Sequence, residues 1–369
     1  MVGLSDWISD FRNRLVSDPE FRRRAQKIPL FQYFVNRQGE KLFSLINGFI
    51  GSQVVLACLE GGLLGLLEPG PQSLEEIADK TGLDPVRAER LLSAASALQL
   101  LERRRSGDYA LGPQGAALCN NPGLVALIRH HDALYQDLRK PWQLVSTSDA
   151  PSRLQAYWSY AGQQAATDAE SARTYSALMS ESQGMIAEQV LEAYSFKNCQ
   201  SLLDIGGGNG TFAIAVAKRW PHLKITLADL PDVVPLAEKH IQQAGLAGRI
   251  QTQRLDFKKQ TIPASYDAVS LVRVLHDHDD ETVHQLLASV RQSLSPGKRI
   301  VVAEPLAGSD RSGRLNDTYF SIYLLAMGQG RPRTFATLSS FLSGAGFDHI
   351  RRHRTSMPLV TSVIGGQAS

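Results

Sequence analysis

From residue 201 onward the chain alternates short apolar runs with helical patterns, and this alternation constrains the fold more than any other feature. Ser201–Ile205, Lys224–Ala228, Ile250–Leu255, Ala268–Val274 and Arg299–Ala303 read as strands. Thr211–Arg219, Val233–Ala244 and Glu281–Leu294 between them carry the spacing of amphipathic helices. Strands that alternate with helices pair in parallel, and the helices cover both faces of the sheet. The expected class is therefore α/β with a mostly parallel sheet. In such sheets ligands bind at the carboxyl ends of the strands. The chemically suggestive motifs all fall at those ends.

The first strand runs into Asp204-Ile-Gly206-Gly207-Gly208-Asn209-Gly210. A dinucleotide-binding loop needs glycine at its first, third and sixth places. Counted from Gly206, the sixth place is Thr211, so that reading fails. No Lys-Ser or Lys-Thr follows the loop, so a phosphate-cradling nucleotide loop fails too. Asp204 would repel a pyrophosphate but suits a ligand bearing an ammonium group. The second strand ends at Asp229 in Leu227-Ala-Asp-Leu230-Pro231, where a carboxylate is placed to accept both hydroxyls of a ribose. A nucleoside with an amino-acid tail and no phosphate describes S-adenosylmethionine. The plainer alternative is that both acids only cap helices.

The chain has 369 residues, too many for one ordinary core, and its character changes near Cys199. We expect a basic amphipathic arm over 1–40, a helical domain over 41–198 and a cofactor-binding catalytic domain over 199–369. Arg12, Arg14, Arg22, Arg23 and Arg24 interleave with Phe11, Leu15 and Phe21 in the arm. That pattern suits a solvated helix packed on a partner subunit, or a membrane surface. The apolar stretch from Gly48 to Leu67 is interrupted by Ser52, Gln53, Glu60 and several glycines, which argues against a membrane span. Ser73-Leu-Glu-Glu76 is a capping box, and a turn at Gly82–Pro85 leads to a second helix over 86–98. Ser106-Gly107-Asp108 then turns a hairpin. Helix, turn, helix and hairpin outline a winged helix, so a DNA-binding regulator has to be weighed. The second helix is mostly Leu and Ala, which suits packing rather than base reading. The formal net charge of +3 is also too small to make nucleic acid the expected partner. The three cysteines lie far apart with no metal-ligand or disulfide spacing, so a reducing compartment and no metal are expected. The expected setting is the cytoplasm, with peripheral membrane contact open.

Taken in order, LLDIGGGNG, LADLP, VRVLHDHDD and VVAEPL resemble the class I S-adenosylmethionine-dependent small-molecule O-methyltransferases. That resemblance runs from about residue 45 to the end. It implies a Rossmann-like domain with a seven-stranded, mostly parallel sheet, preceded by a winged-helix-like dimerisation domain, and hence a homodimer. It also implies S-adenosylmethionine as cofactor. By resemblance, Asp204, Gly206 and Gly208 hold its methionine part, Asp229 and Leu230 its ribose, and Asp256 and Phe257 flank its adenine. Arg273 matches a basic residue that approaches the cofactor. His276 matches the family's general base, and Glu304 a carboxylate that orients it. Imidazole titrates near neutrality, as removing a proton from an acceptor requires. Asp277 is ranked behind Glu304, because adjacent residues on an extended segment point apart. Two positions depart from the pattern. His278 stands where many relatives have a tryptophan against the adenine, so it should stack more weakly or pair with the second-strand acid. Pro332, in Gly330-Arg-Pro-Arg-Thr334, replaces a second carboxylate near the base.

Phe320, Tyr323 and Met327 recur at helical spacing after the last catalytic strand, and Tyr175 and Met179 share a face of an earlier helix. The plain reading of such stripes is core packing. In the family the later of these helices walls the acceptor pocket, and Tyr175 and Met179 are placed to line a cavity. YFSIYLLAMGQGRPRT, VLHDHDD and YSALMSESQGMIAEQVL together look closest to bacterial carotenoid O-methyltransferases, which act on the tertiary hydroxyl of hydroxyneurosporene and demethylspheroidene in purple photosynthetic bacteria. An apolar wall without acids suits a polyene acceptor. It would equally suit a flat phenol or a bacteriochlorophyllide-type tetrapyrrole, so these acceptors stay open.

Overall fold

The structure, a computed structural model, describes residues 4–25, 27–147, 152–155 and 182–369. It divides into two compact units, Met1–Asn120 and Asn121–Ser369.

In the first unit the arm is two helices, Leu4–Ser17 and Pro19–Ala25, followed by a long helix, Pro29–Glu60. The expected break between arm and domain near residue 40 therefore lies inside a continuous helix. Gly61 and Gly62 end this helix, and the interrupted stretch from Gly48 to Leu67 spans that end. Read from Phe31 to Glu60 instead, the helix is long and apolar enough to cross a bilayer, and very little of it is buried. The stretch read above as arguing against a membrane span covers only the last part of this helix. Ser73 caps the next helix, Leu74–Thr81, through the predicted capping box. Asp84 caps Pro85–Ala97, and strands β1 (Leu101–Arg103) and β2 (Tyr109–Leu111) form the expected hairpin. Ile77, Leu92, Leu101 and Tyr109 seal the small core under them.

The second unit is built on a seven-stranded sheet. Its strands are β3 (Ser201–Ile205), β4 (Lys224–Asp229), β5 (Ile250–Arg254), β6 (Ala268–Val272), β7 (Arg299–Glu304), β8 (Phe347–His353) and β9 (Ser362–Ala368). The order across the sheet is β5-β4-β3-β6-β7-β9-β8. β3 to β7 are parallel, while β9 enters antiparallel between β7 and β8. Strand order reverses beside β3, so the ends of β3 and β6 open at the switch point where such sheets bind ligands. Ala268–Val272 is buried throughout and Arg299–Glu304 nearly so, as strands covered on both faces must be.

Residues 121–147 and 182–198, which the sequence places with the helical domain, belong to the second unit. The reason is packing. Ile186, Ala187 and Val190, in the helical stretch 182–193, share a core with β3 and β4. Leu134 packs with Phe320, Tyr323 and Met327.

Candidate active site

The ends of β3, β4, β6 and β7 bring the expected residues together. Asp204 is buried near the end of β3. Its Oδ1 accepts from Ser270 Oγ on β6 at 2.6 Å, and among the described residues its Oδ2 has no hydrogen-bond partner. Burial pushes its carboxyl up to about 7, with the Ser270 bond pulling down and Asp229 adding a smaller push upward. The glycines after it are needed for two reasons. Gly206 has φ +68°, and a Cβ there would sit 2.7 Å from Val274 Cγ2. A Cβ on Gly207 would lie 2.6 Å from Leu227 Cγ and 2.7 Å from Asp204 Oδ2. Gly208, with φ +56°, has open space where its side chain would be. Its N–H donates to Asp229 Oδ2 at 2.7 Å, and Leu230 N–H donates to Asp229 Oδ1 at 2.7 Å. Burial raises the Asp229 carboxyl, opposed by these two bonds. Two carboxylates thus face one glycine turn. That donor set suits a cationic amino-acid group and a diol, and disfavours a polyphosphate.

After β5, Asp256 accepts from Lys258 N–H and pairs with Lys259 at 3.1 Å. Phe257, beside it, meets the His278 ring edge-on at 5.3 Å. Among the described residues the contact of His278 is with Phe257, and the expected pairing with Asp229, the second-strand acid, is not formed. His278 Nδ1 is buried with no hydrogen bond among the described residues, and burial, with Lys258 and His276 adding to it, pushes the imidazole down to about 4. His278 is therefore neutral near neutrality.

The base candidate lies on a 3₁₀ turn, Leu275–Asp277, just past β6. His276 Nδ1 is hydrogen-bonded to Glu304 Oε2. Glu304, at the end of β7, is 2% exposed, and its Oε1 accepts from Val274 N–H at 3.0 Å and Leu275 N–H at 2.7 Å. Burial alone would raise this carboxyl, but His276, Arg273 and the Leu275 amide outweigh it and hold it below its ordinary value. An ionised carboxylate can only accept, so Nδ1 donates and Nε2 is the nitrogen open to take a proton.

Asp277 is where the expectation fails. On a 3₁₀ turn neighbouring side chains need not point apart, and Asp277 Oδ1 lies 3.2 Å from His276 Nε2. The two are close enough to pair once the imidazole is protonated, and among the described residues Oδ1 has no hydrogen bond. Burial and Glu304 raise its carboxyl against the pull of His276 and Arg273. Arg273 has a left-handed backbone, φ +60°, its N–H donates to Ala303 O, and its guanidinium stands over the Phe320 ring at 5.1 Å.

Phe320, Tyr323 and Met327 lie on one face of the helix Arg311–Met327 and are all buried. The Phe320 ring is 6.0 Å from His276. Tyr323 Oη is 2.6 Å from His130 Nε2, and Tyr319 Oη is 2.8 Å from His131 Nε2. Burial, then the charges of His131 and Arg273, lower His130 to about 4. Tyr175 and Met179 lie outside the described residues. Among the described residues no group of His, Cys, Asp and Glu is arranged to hold a metal.

Several contributors escape the motif reading: Ser270, the His130–His131 pair, Asp280 and Arg333. Arg333 is 4% exposed and donates to Leu275 O, His278 O and Asp280 Oδ1. Its signal in the sequence is the pair of arginines around Pro332, complementary in charge to the Asp279–Asp280 pair, which the missing acid at Pro332 overshadows.

The O-methyltransferase domain family matches residues 152–348, and the O-methyltransferase dimerisation domain family matches 43–121. The chain is 40% identical to demethylspheroidene O-methyltransferase of Cereibacter sphaeroides, over 95% of this chain and 93% of that protein. It is 37% identical to the protein of the same name from Rhodobacter capsulatus, over 96% of this chain and 88% of the other. Human N-acetylserotonin methyltransferase, solved with S-adenosylmethionine, superposes with a TM-score of 0.71 at 26% identity, over 90% of this chain and 98% of that one. This chain belongs to the S-adenosylmethionine-dependent O-methyltransferase family.

Proposed function

We propose that this enzyme methylates the tertiary hydroxyl of an acyclic carotenoid of the demethylspheroidene or hydroxyneurosporene type, with His276 as general base. The observation that carries the base assignment is His276 held at Nδ1 by buried Glu304, with the Phe320 ring 6.0 Å away. The acceptor class rests on similarity over nearly the whole chain to two demethylspheroidene O-methyltransferases.

S-adenosylmethionine supplies, when bound, a methyl group already activated on a sulfonium. The residues present fit it. Asp204, Gly206 and Gly208 would hold the amino-acid end, Asp229 and Leu230 the ribose, and Asp256, Phe257 and His278 the adenine. Asp204 has a spare oxygen for a cationic group. What remains for the protein is alignment and proton removal. His276 Nε2 takes the acceptor's hydroxyl proton, and Glu304 stabilises the imidazolium that results. A tertiary alcohol is far less acidic than a phenol, so base assistance matters more here. Asp277 places a second carboxyl beside Nε2. Phe320, Tyr323 and Met327 wall the apolar acceptor.

The active assembly is a homodimer. Leu42, Phe43, Leu45, Ile46 and Phe49 are exposed on the helix Pro29–Glu60, and the dimerisation match begins at residue 43. A second copy of the chain covers this face. The segment before it is basic and carries exposed Trp7, Ile8 and Phe11, a composition suited to peripheral contact with an anionic membrane where a polyene resides.

Turnover trials with radiolabelled methyl donor test the acceptor. Label should pass to demethylspheroidene in preference to a phenol or a bacteriochlorophyllide. Preference for either of the others would replace the carotenoid reading while leaving the methyltransferase assignment intact. Flotation with anionic liposomes, with and without residues 1–30, tests the membrane contact.

A further inference from the structure

We infer that the segment Gly330–Arg333 is a clamp that sets the position of the base, with Arg333 its central positioning residue; this deepens the reading of His276 given above. The 3₁₀ turn that carries His276 is gripped from two sides. On one side Glu304 takes the side chain and the amides of Val274 and Leu275. On the other, carbonyls of the turn and its end accept from the Gly330–Arg333 segment, Leu275 O in addition to the His278 amide. Arg331 N–H supplies one bond, to His276 O at 2.9 Å. Arg333 supplies two more, Nη1 to Leu275 O at 2.6 Å and Nη2 to His278 O, just past the turn, at 2.7 Å.

The clamp is itself held in place. Arg333 Nε and Nη2 reach Asp280 Oδ1 at 2.9 and 2.7 Å, and its guanidinium stands 5.9 Å from the centre of the Phe341 ring. Its own carbonyl accepts from Ala307 N–H at 3.0 Å, three residues past Glu304. Gly330, with φ +83°, has no room for a side chain, because a Cβ there would collide with His276 O. A planar guanidinium offers several donors in a fixed fork, which a lysine cannot reproduce. The side chain reaches the backbone on both sides of the base, at Leu275 and His278. This geometry positions the imidazole rather than touching substrate. It supplies by backbone contact the support that a second carboxylate at Pro332 would give through the ring.

Wild type, Arg333→Lys and Arg333→Ala are to be compared for kcat, acceptor KM, cofactor affinity by calorimetry, melting temperature and the ¹⁵N-histidine resonances of His276. Arg333→Ala is also assayed with added guanidinium below denaturing concentration. We expect kcat to fall by about 10- to 100-fold, as small misplacements of a catalytic group do. Cofactor affinity should hold, the His276 resonances should move, and guanidinium should restore part of kcat. Unchanged kcat and unmoved resonances in folded Arg333→Ala overturn the inference. If Arg333→Ala does not fold, Asp280→Asn at the outer end of the clamp takes its place. A lower kcat with moved His276 resonances in that variant supports the inference, and wild-type values of both overturn it. Absence of turnover by wild type with a carotenoid would refute the acceptor reading alone, since the His276 resonances still decide the clamp.

Discussion

Glu304 receives the Nδ1 hydrogen of His276 on one carboxylate oxygen and the amides of Val274 and Leu275 on the other. One buried side chain thereby fixes both the ring and the turn that carries it. The charge on Glu304 should be as important as its shape. Glu304→Gln keeps the size and one accepting oxygen but removes the charge that would stabilise an imidazolium. Loss of a charged hydrogen bond is worth about 1.5–3 kcal/mol. kcat should drop by more than tenfold with cofactor affinity unchanged. A wild-type kcat in this variant would show that Glu304 is only a structural support.

Stability should also respond to Glu304 through pH. Its carboxyl lies below the ordinary value in the folded protein, so the unfolded chain takes up the proton first. The contribution is therefore fully present above the unfolded value and is lost as pH falls through the folded one. Melting temperature against pH should fall less steeply on acidification in Glu304→Gln than in wild type. Parallel curves would contradict this.

Asp204 works in the opposite sense. Its carboxyl is pushed up to about 7 by burial, so near neutrality much of the cofactor-free protein carries a proton there. A cationic ligand favours the ionised form, and its binding should expel that proton. Affinity for S-adenosylmethionine should therefore rise with pH between roughly 6 and 8, a window set by that raised value. Calorimetry in buffers of different ionisation enthalpy should register proton release, and Asp204→Asn should abolish it. Binding without pH dependence would place Asp204 outside the cofactor's electrostatic reach.

Asp229 accepts from Gly208 and Leu230 in this structure, so its alanine variant should loosen the glycine turn as well as lose the ribose contact. We expect cofactor affinity to weaken by about 10- to 100-fold, from one or two charged hydrogen bonds. Gly207→Ala should be damaging for a different reason, because its methyl would press on Leu227 and Asp204. Overpacking of that kind costs about 1–3 kcal/mol. A lowered melting temperature checks it, and an unchanged one would mean that the turn can yield.

The parallel core is legible in the sequence because each strand is a short apolar run and each motif sits at its end. Asp204, Asp229, His276 and Glu304 fall where strand endings put them. Asp277 departs from expectation for a local reason: the residues after Val272 read as extended, whereas a 3₁₀ turn folds its carboxylate back toward Nε2. Arg333 is hidden because its partners are backbone carbonyls of a distant turn, which no spacing rule can show. The helix Pro29–Glu60 is obscured by its own glycines and polar residues, which interrupt a hydropathy reading without breaking the helix. Residues 121–147 join the catalytic unit through packing between Leu134 and the Phe320 face, a contact between segments nearly two hundred residues apart.

The most direct test of the central claim is transfer of labelled methyl from S-adenosylmethionine to demethylspheroidene by wild type and His276→Ala, with cofactor affinity measured in parallel. A placed base typically contributes ~10²–10⁴-fold. The account predicts labelled methoxyl product from wild type and a loss of that order in His276→Ala, at unchanged cofactor affinity. Equal rates from the two proteins would contradict it.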